Sequence, residues 1–535
     1  MGGGRAHNGA VQQIIWVVEE VQTRVFYSDC EDSTRNVVVL ALLDVSKAFD
    51  KFNRNVLIKK LIDLGICDKL LQIVISFFHN RTQRVCVDNE FSNTTRTCNG
   101  GPQGSVITLF CWLVYINDLA TAAGSALFVD DVSLWLSSPN APDVITKLNQ
   151  ELTRIYNWSV ANSVIFDFKK FHLFDLGLQR LPSGVDSQVF FGNENPPWST
   201  SAKYLGLVVD NNLSFVSMIT NTYGRLCARA KLFFNHTNRF TGADPKTLEN
   251  MFKIWILPVF DYASPVWIFR IRDLRCFHFE SPLLTKYKKP FGKLNKFYMK
   301  CARNVLGVPP GTGNMAVLVR LGWLPLDYFL ALRACVWYLK VIKGEAGLAA
   351  KRLVVDTFAD DELWTNTCLF KPAFSLLTRL SKLTGINIFD LSPKDRVEGI
   401  KSAMFQELTM IWHNATISRF TFGIHPVWKE NNLERQMVNR RSICIYHQYA
   451  VGRAPTRDYY FSIHKCDSPL CRFGCPENET INHVVFSCKF NSKQRAVLIM
   501  KCNDLKINFT LKNLLINKSL QILVEKFLLN AHNDN

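Results

Sequence analysis

The sequence predicts an α+β fold, on three observations. Val37 to Leu43 is a continuous apolar run, β-branched at its start and closed by Asp44, which reads as a buried strand. Ala126 to Leu136 reads strand, two polar residues, strand, the pattern of a tight antiparallel hairpin. Elsewhere apolar residues recur at helical spacing, and from Lys203 to about residue 350 the pattern is mostly helical.

The elements follow in order. Ile14, Ile15, Val18, Val21 and Val25 predict a helix over residues 12–26. Leu57, Leu61 and Leu64 place a helix over Asn55 to Gly65, with Gly65 as its C-cap. A second helix spans Asp68 to Phe78. Gly100-Gly101-Pro102-Gln103-Gly104-Ser105 is a turn cluster opening a very apolar helix through Leu119. Leu148 to Ala161 is helical, and residues 180–202, rich in Pro, Gly, Ser and Asn, read as loop with one strand. Signals weaken over 350–400, and a helix-rich segment then runs to a cysteine cluster near the C-terminus. No internal repeat or low-complexity tract occurs.

Composition bounds the partners. A chain of 535 residues with 48% hydrophobic residues supports three or four real cores. A formal charge of +18 calls for a polyanion or an anionic surface. Nucleic acid is the predicted partner and a membrane is not, because the longest apolar runs fall far short of the ~20 residues of a spanning helix. The N-terminus has no apolar core of a signal peptide. Most of the 16 cysteines sit in apolar segments and read as reduced core thiols of an intracellular protein.

Asp44 ends a buried strand, and Asp130 and Asp131 sit at a hairpin tip. Carboxylates on separate, rigid strand ends can converge on divalent cations. Alone, neither signal is specific, since Asp simply favours turns. Order and company make them so: Leu43-Asp44-Val45-Ser46-Lys47-Ala48-Phe49-Asp50 precedes Gly101-Pro102-Gln103-Gly104-Ser105, then Tyr115-Ile116-Asn117-Asp118-Leu119, Phe128-Val129-Asp130-Asp131, Trp158, Lys170 and Lys203-Tyr204-Leu205-Gly206. In these motifs the chain resembles the reverse transcriptases of non-LTR (LINE-type, Jockey-like) retrotransposons. The resemblance is strong from about 37 to 215 and weaker through Ile256-Leu257-Pro258 and Tyr262 to Trp267.

The resemblance implies a right-hand polymerase: residual fingers over 1–36, a palm of antiparallel sheet and helices over 37–210, and a helical thumb and connection over 211–345. A helical region over 346–460 and a zinc-knuckle-like module with a tail over 461–535 complete it. It implies RNA-directed DNA synthesis from dNTPs on an RNA template and a DNA primer or target, inside the cell, in nucleus or cytoplasm, as a ribonucleoprotein. Asp44, Asp130 and Asp131 match the ligands of two Mg2+ ions, for which Mn2+ can substitute, and the Val45 carbonyl adds a ligand. Phe49 matches the residue under the sugar of the incoming nucleotide, where a ring disfavours a 2′-hydroxyl. Gln103 and Gly104 match the turn against template and nucleotide, with glycine permitting close backbone approach. Lys170 matches a lysine that protonates the leaving pyrophosphate, with Lys169 as its competitor. Tyr204, Leu205 and Gly206 match the hairpin that grips the primer. Asp50 belongs to the signature as a structural residue.

Phe358-Ala359-Asp360-Asp361 fits the hairpin motif equally well but lacks a following strand pattern, so it reads as a solvated turn or helix start. Near the C-terminus Cys471, Cys475, His483 and Cys488 have the ligand types and spacing of a closed tetrahedral Zn2+ site, with Cys466 as a spare thiol. They resemble the cysteine–histidine motif found after the polymerase in these elements, although the first gap is three residues rather than two. The alternative is a set of core cysteines with one histidine.

The chain also departs from the family. Only 43 residues precede Asp44, so it reads as N-terminally truncated, without the full fingers or an upstream endonuclease. No RNase H pattern follows. Leu109 stands where a proline is usual, and Val129 where alanine is common. Two readings result: a working polymerase, or an inactive truncated remnant that only binds nucleic acid.

Overall fold

A computed structural model describes residues 9–26, 36–119, 124–176, 181–182, 184, 188–270, 291–345, 370–414, 419–429 and 439–532. The chain divides into two compact units, Met1–Met218 with Tyr338–Lys371, and Ile219–Trp337 with Pro372–Asn535. The architecture is α+β. Among the described residues no single helix is long and apolar enough to cross a membrane.

The first unit is built on β1 (Val37–Asp44). It lies inside a four-stranded antiparallel sheet of order β6-β7-β1-β8, with β6 (Gly124–Phe128), β7 (Asp131–Ser138) and β8 (His172–Asp175). Successive side chains of a strand point to opposite faces. Val37, Val39, Ala41 and Leu43 enter a core shared with α5 (Val106–Ile116) and α6 (Ala141–Ala161). Val38, Leu40 and Leu42 are also buried, on the face where α1 (Ala10–Phe26) packs and Trp16 meets Trp135 edge-on at 5.3 Å. Helices on both faces are why β1 is apolar throughout rather than alternating.

Three further helices precede α5, the first of them the single turn α2 (Ala48–Lys51). The Asn53 side chain caps α3 (Arg54–Asp63) by accepting from Asn55 and Val56 N–H, and Gly65, at φ +79, closes it. Leu57 and Leu61 are buried, but Leu64, expected on their face, is exposed at the helix end. α4 (Asp68–Phe78) has the expected bounds. Two short ribbons before α5 were not legible as strands: β2 (Thr82–Gln83) with β5 (Thr95–Arg96), and β3 (Cys86–Val87) with β4 (Glu90–Phe91). Their residues are exposed, so no burial pattern marks them. The α5 helix ends at Ile116 rather than Leu119, and the Leu109 N–H donates to Ser105 O at 3.1 Å. Proline at 109 would lack that bond; leucine completes the first turn.

The second unit is helical in its described residues. The helix Phe291–Leu306 buries Leu294, Tyr298, Cys301 and Val305. Arg440 donates to the carbonyls of Asn304 and Val305 at 2.9 and 3.1 Å, satisfying the end of that helix. The Arg440–Ala450 helix carries Ile443, Tyr446 and Tyr449 into a core with Val524, Phe527 and Leu528 of Gln521–Ala531. The C-terminal helices are therefore packed on the helices that follow the first unit, not set apart from them.

Candidate active site and cysteine–histidine cluster

The antiparallel register pairs Asp44 with Asp131. Val45 N–H donates to Asp130 O at 3.2 Å, and Asp167 N–H to Asp44 O at 2.8 Å. Three chain segments thus meet at one end of the sheet. Asp167 also caps the short 3-10 turn Phe168–Lys170. That turn aims Lys170, whose Nζ lies 2.8 Å from Asp44 Oδ2, whereas Lys169 is simply exposed.

Burial, followed by the charges of Asp130 and Asp44, pushes the Asp131 carboxyl up to about 7, against Lys170. Asp130 is also raised, first by burial and then by Asp44. The hydrogen bond to Asp44 raises Lys170. Three carboxylates in one another's field, offset by one ammonium, are the donor type a hard divalent cation such as Mg2+ or Mn2+ takes, but here their oxygens are not drawn close enough together to share one ion.

The hairpin tip is held from below. Val129 has φ 59, an uncommon conformation for a β-branched residue. Trp112 Nε1 donates to its carbonyl at 2.7 Å. Phe49, half-buried, packs against Trp112 with ring centroids 6.2 Å apart. The α3, α5 and α6 helices beneath are tied through Asp118, which accepts from Lys60 Nζ at 2.6 Å and from Trp158 Nε1 at 3.0 Å.

The Gly100–Ser105 turn is fixed to the segment that follows Asp44. Gly100 N–H donates to Phe52 O and Gly101 N–H to Phe49 O, both at 2.8 Å. A Cβ on Gly100 would stand 2.3 Å from the Asp50 backbone, so here glycine serves close approach. At Gly104 φ is +85, a conformation that favours glycine, and a Cβ would meet no atom of the protein within 4 Å. Gln103 Nε2 donates to both Asp50 oxygens, at 3.1 and 3.2 Å. Arg54 donates to the carbonyls of Phe78, Thr97, Asn99 and Gly100 at 2.7–3.1 Å. The sequence reading missed Arg54. Its signal was a cation in the first turn of a helix, where the macrodipole disfavours one.

Tyr204 to Gly206 does form a hairpin, from β9 (Ser201–Tyr204) and β10 (Leu207–Asp210), turning through Leu205 at φ 48 and Gly206 at φ 81. The expectation that Tyr204 itself touches a primer needs correction. Its ring is 3% exposed and its hydroxyl lies 3.2 Å from Ser133 Oγ, so it anchors the hairpin. Burial raises its pKa far above the usual phenol value. Leu205 is half-buried and Gly206 exposed, so the tip is the reachable part. Asp360 and Asp361 lie outside the described residues.

In the second unit the ligand atoms of Cys471, Cys475, His483 and Cys488 all lie within 4.8 Å of one another. Among the described residues this is the one set of three or more such side chains close enough to share an ion. His483 Nδ1 is 2.7 Å from Glu477 Oε2, while its Nε2 is buried without a hydrogen-bond partner. Gly474, at φ +79, absorbs the extra residue of the first gap. The ion pair of Arg472 with the buried Glu479, at 2.8 Å, braces the loop. Cys466 is not a substitute ligand: its thiol faces the carbonyls of Arg457 and Ser468 at 3.3 Å. Soft ligands, an orphaned imidazole nitrogen and a carboxylate behind it fit Zn2+.

A groove of about 380 Å³ in the same unit is lined by Lys231, Lys293, Lys296 and Lys300 with Tyr223 and Phe234. Lys300 Nζ stands 4.5 Å from the Phe234 ring centroid.

Residues 4–209 match the family described as reverse transcriptase (RNA-dependent DNA polymerase). A protein described as a probable RNA-directed DNA polymerase from transposon X-element of Drosophila melanogaster is 24% identical over 286 residues, covering 50% of this chain and 29% of that relative. A 115 kDa protein in the type-1 retrotransposable element R1DM of Drosophila melanogaster is 22% identical over 247 residues, covering 44% and 23%. The chain thus spans less than a third of the length of either relative.

Proposed function

We propose that the chain, similar over residues 4–209 to the reverse transcriptase (RNA-dependent DNA polymerase) family and similar also to the proteins of transposon X-element and R1DM, is a reverse transcriptase of the non-LTR retrotransposon type and extends a DNA primer on an RNA template with dNTPs. The observation that carries the proposal is the meeting of Asp44, Asp130, Asp131 and Lys170 at one end of the sheet.

In this reading Asp44, Asp130 and Asp131 would hold two Mg2+ ions, drawing closer together as the ions enter. Such ions lower the pKa of the primer 3′-hydroxyl and neutralise charge on the transferring phosphoryl group. The chain's own residues do the remainder. Lys170 carries a proton at Nζ toward the leaving pyrophosphate, Phe49 lies under the nucleotide sugar, and Gln103 and Gly104 face the template and the incoming nucleotide. The Leu205-Gly206 tip supports the primer. Residues 1–36 then act as fingers, 37–210 as palm and 211–345 as thumb, and the site of action is intracellular. Cys471, Cys475, His483 and Cys488 hold one Zn2+ in a module that grips RNA or target DNA.

Purified chain given a primed RNA, dNTPs and Mg2+ is expected to add nucleotides, and Asp130→Asn is expected to abolish addition. No extension with Mg2+ or Mn2+ would defeat the proposal. The lysine-lined groove supports the second reading, an inactive chain that binds nucleic acid. Replacing Lys293, Lys296 and Lys300 by Glu is expected to weaken binding to any sequence and flatten its salt dependence. Unchanged affinity would remove the groove from either reading.

A further inference from the structure

We infer that Asp50 is a positioning residue that sets the polarity of the Gln103 carboxamide presented to the substrate. The inference rests on the polymerase reading and adds a residue to it. An ionised carboxylate only accepts hydrogen bonds. Both Asp50 oxygens lie within 3.2 Å of the Gln103 amide nitrogen, so the amide N–H2 must face Asp50. The amide oxygen then faces the other way, as an acceptor. Gln103 in this orientation selects a donor on its ligand, a hydroxyl or an amino group of the nucleotide or template, and disfavours an acceptor there.

The backbone makes this orientation reproducible. The Gln103 turn is bonded to the carbonyls of Phe49 and Phe52 on either side of Asp50. Arg54, four residues beyond Asp50 at the start of α3, holds the carbonyls of Asn99 and Gly100. Carboxylate and carboxamide therefore sit on two segments whose relative position is already fixed. Both side chains are exposed, so their bond adds little to stability and is free to serve orientation.

A double-mutant cycle tests this. Asp50→Ala, Gln103→Ala and the double variant are compared for KM and kcat of dNTP addition on a primed RNA, with unfolding midpoints measured alongside. Asp50→Ala is expected to raise KM for dNTP about 5–20-fold with a much smaller change in kcat and an unchanged midpoint. In a Gln103→Ala background the same substitution should change KM less than twofold. Asp50→Asn, which can donate as well as accept, should give an intermediate KM. Independent, multiplicative effects of the two substitutions overturn the inference and leave the polymerase reading intact. A lowered midpoint accounting for the KM change also overturns it. A wild-type chain that extends no primer overturns the polymerase reading and this role with it.

Discussion

Lys170 Nζ lies 2.8 Å from Asp44 Oδ2, a contact made across 126 positions of sequence. The Asp167-capped 3-10 turn sends Lys170 and not Lys169 to the aspartates. Lys170→Ala is therefore expected to slow single-turnover nucleotide addition roughly 100-fold, the scale of a lost general acid. Lys169→Ala should have little effect. The Lys170 side chain is 61% exposed, so neither change should move the unfolding midpoint appreciably. Equal losses from both variants would assign the two lysines a common, diffuse electrostatic role.

The tip that carries Asp130 is held in part by a side-chain bond from Trp112. Trp112→Phe keeps a ring beside Phe49 but removes the Nε1 donor to Val129 O. The uncompensated carbonyl is expected to cost about 1–2 kcal/mol in denaturant unfolding. Nucleotide addition should fall further than stability does, because the freed tip misplaces the aspartates. An active variant with wild-type kcat would show that the bond serves folding alone.

One joint of the second unit is expected to weaken in acid. Arg320 faces His425 Nε2 and His447 Nδ1, each at 3.1 Å. Burial, then Arg320, pushes His425 down to about 3, and His447 is also lowered. The folded form thus favours neutral imidazole, while the unfolded chain binds a proton near the ordinary value of ~6.5. Stability is fully present above that value and is lost as pH falls toward the folded value. By pH ~4.5 the loss from His425 alone is about 2–3 kcal/mol. His425→Gln, which does not titrate, should reduce the difference between melting midpoints at pH 7 and pH 4.5. An unchanged difference would place the acid sensitivity elsewhere.

Glu477 stands behind His483 as the carboxylate of a carboxylate–histidine–zinc relay stands behind its imidazole. The expectation is one Zn2+ per chain, with affinity lowered about 10–100-fold by Glu477→Gln and further by Cys475→Ser, read by competition with a chromogenic chelator. Stripping the metal should expose 471–488 to protease. Protection that survives complete removal of zinc would mark the cluster as packed thiols.

Much of this was legible in the sequence because it is local chemistry. The apolar run of β1, the hairpin around Asp130, the helix Asp68–Phe78 and the glycine turn all follow from residue type and spacing. So did the four zinc-type ligands, since 18 consecutive positions contain them all.

Tertiary structure decided what spacing could not express. It chose Lys170 over Lys169, made Tyr204 an anchor, left Cys466 out of the cluster, and revealed the hold of Asp50 and Arg54 on the Gly100–Ser105 turn. It also joined Arg440 to the end of Phe291–Leu306, some 135 positions away. The reason is physical. Periodicity and turn chemistry report the conformation of neighbouring residues, whereas a hydrogen bond or ion pair between segments depends on where folding brings both backbones, and neither segment encodes that alone.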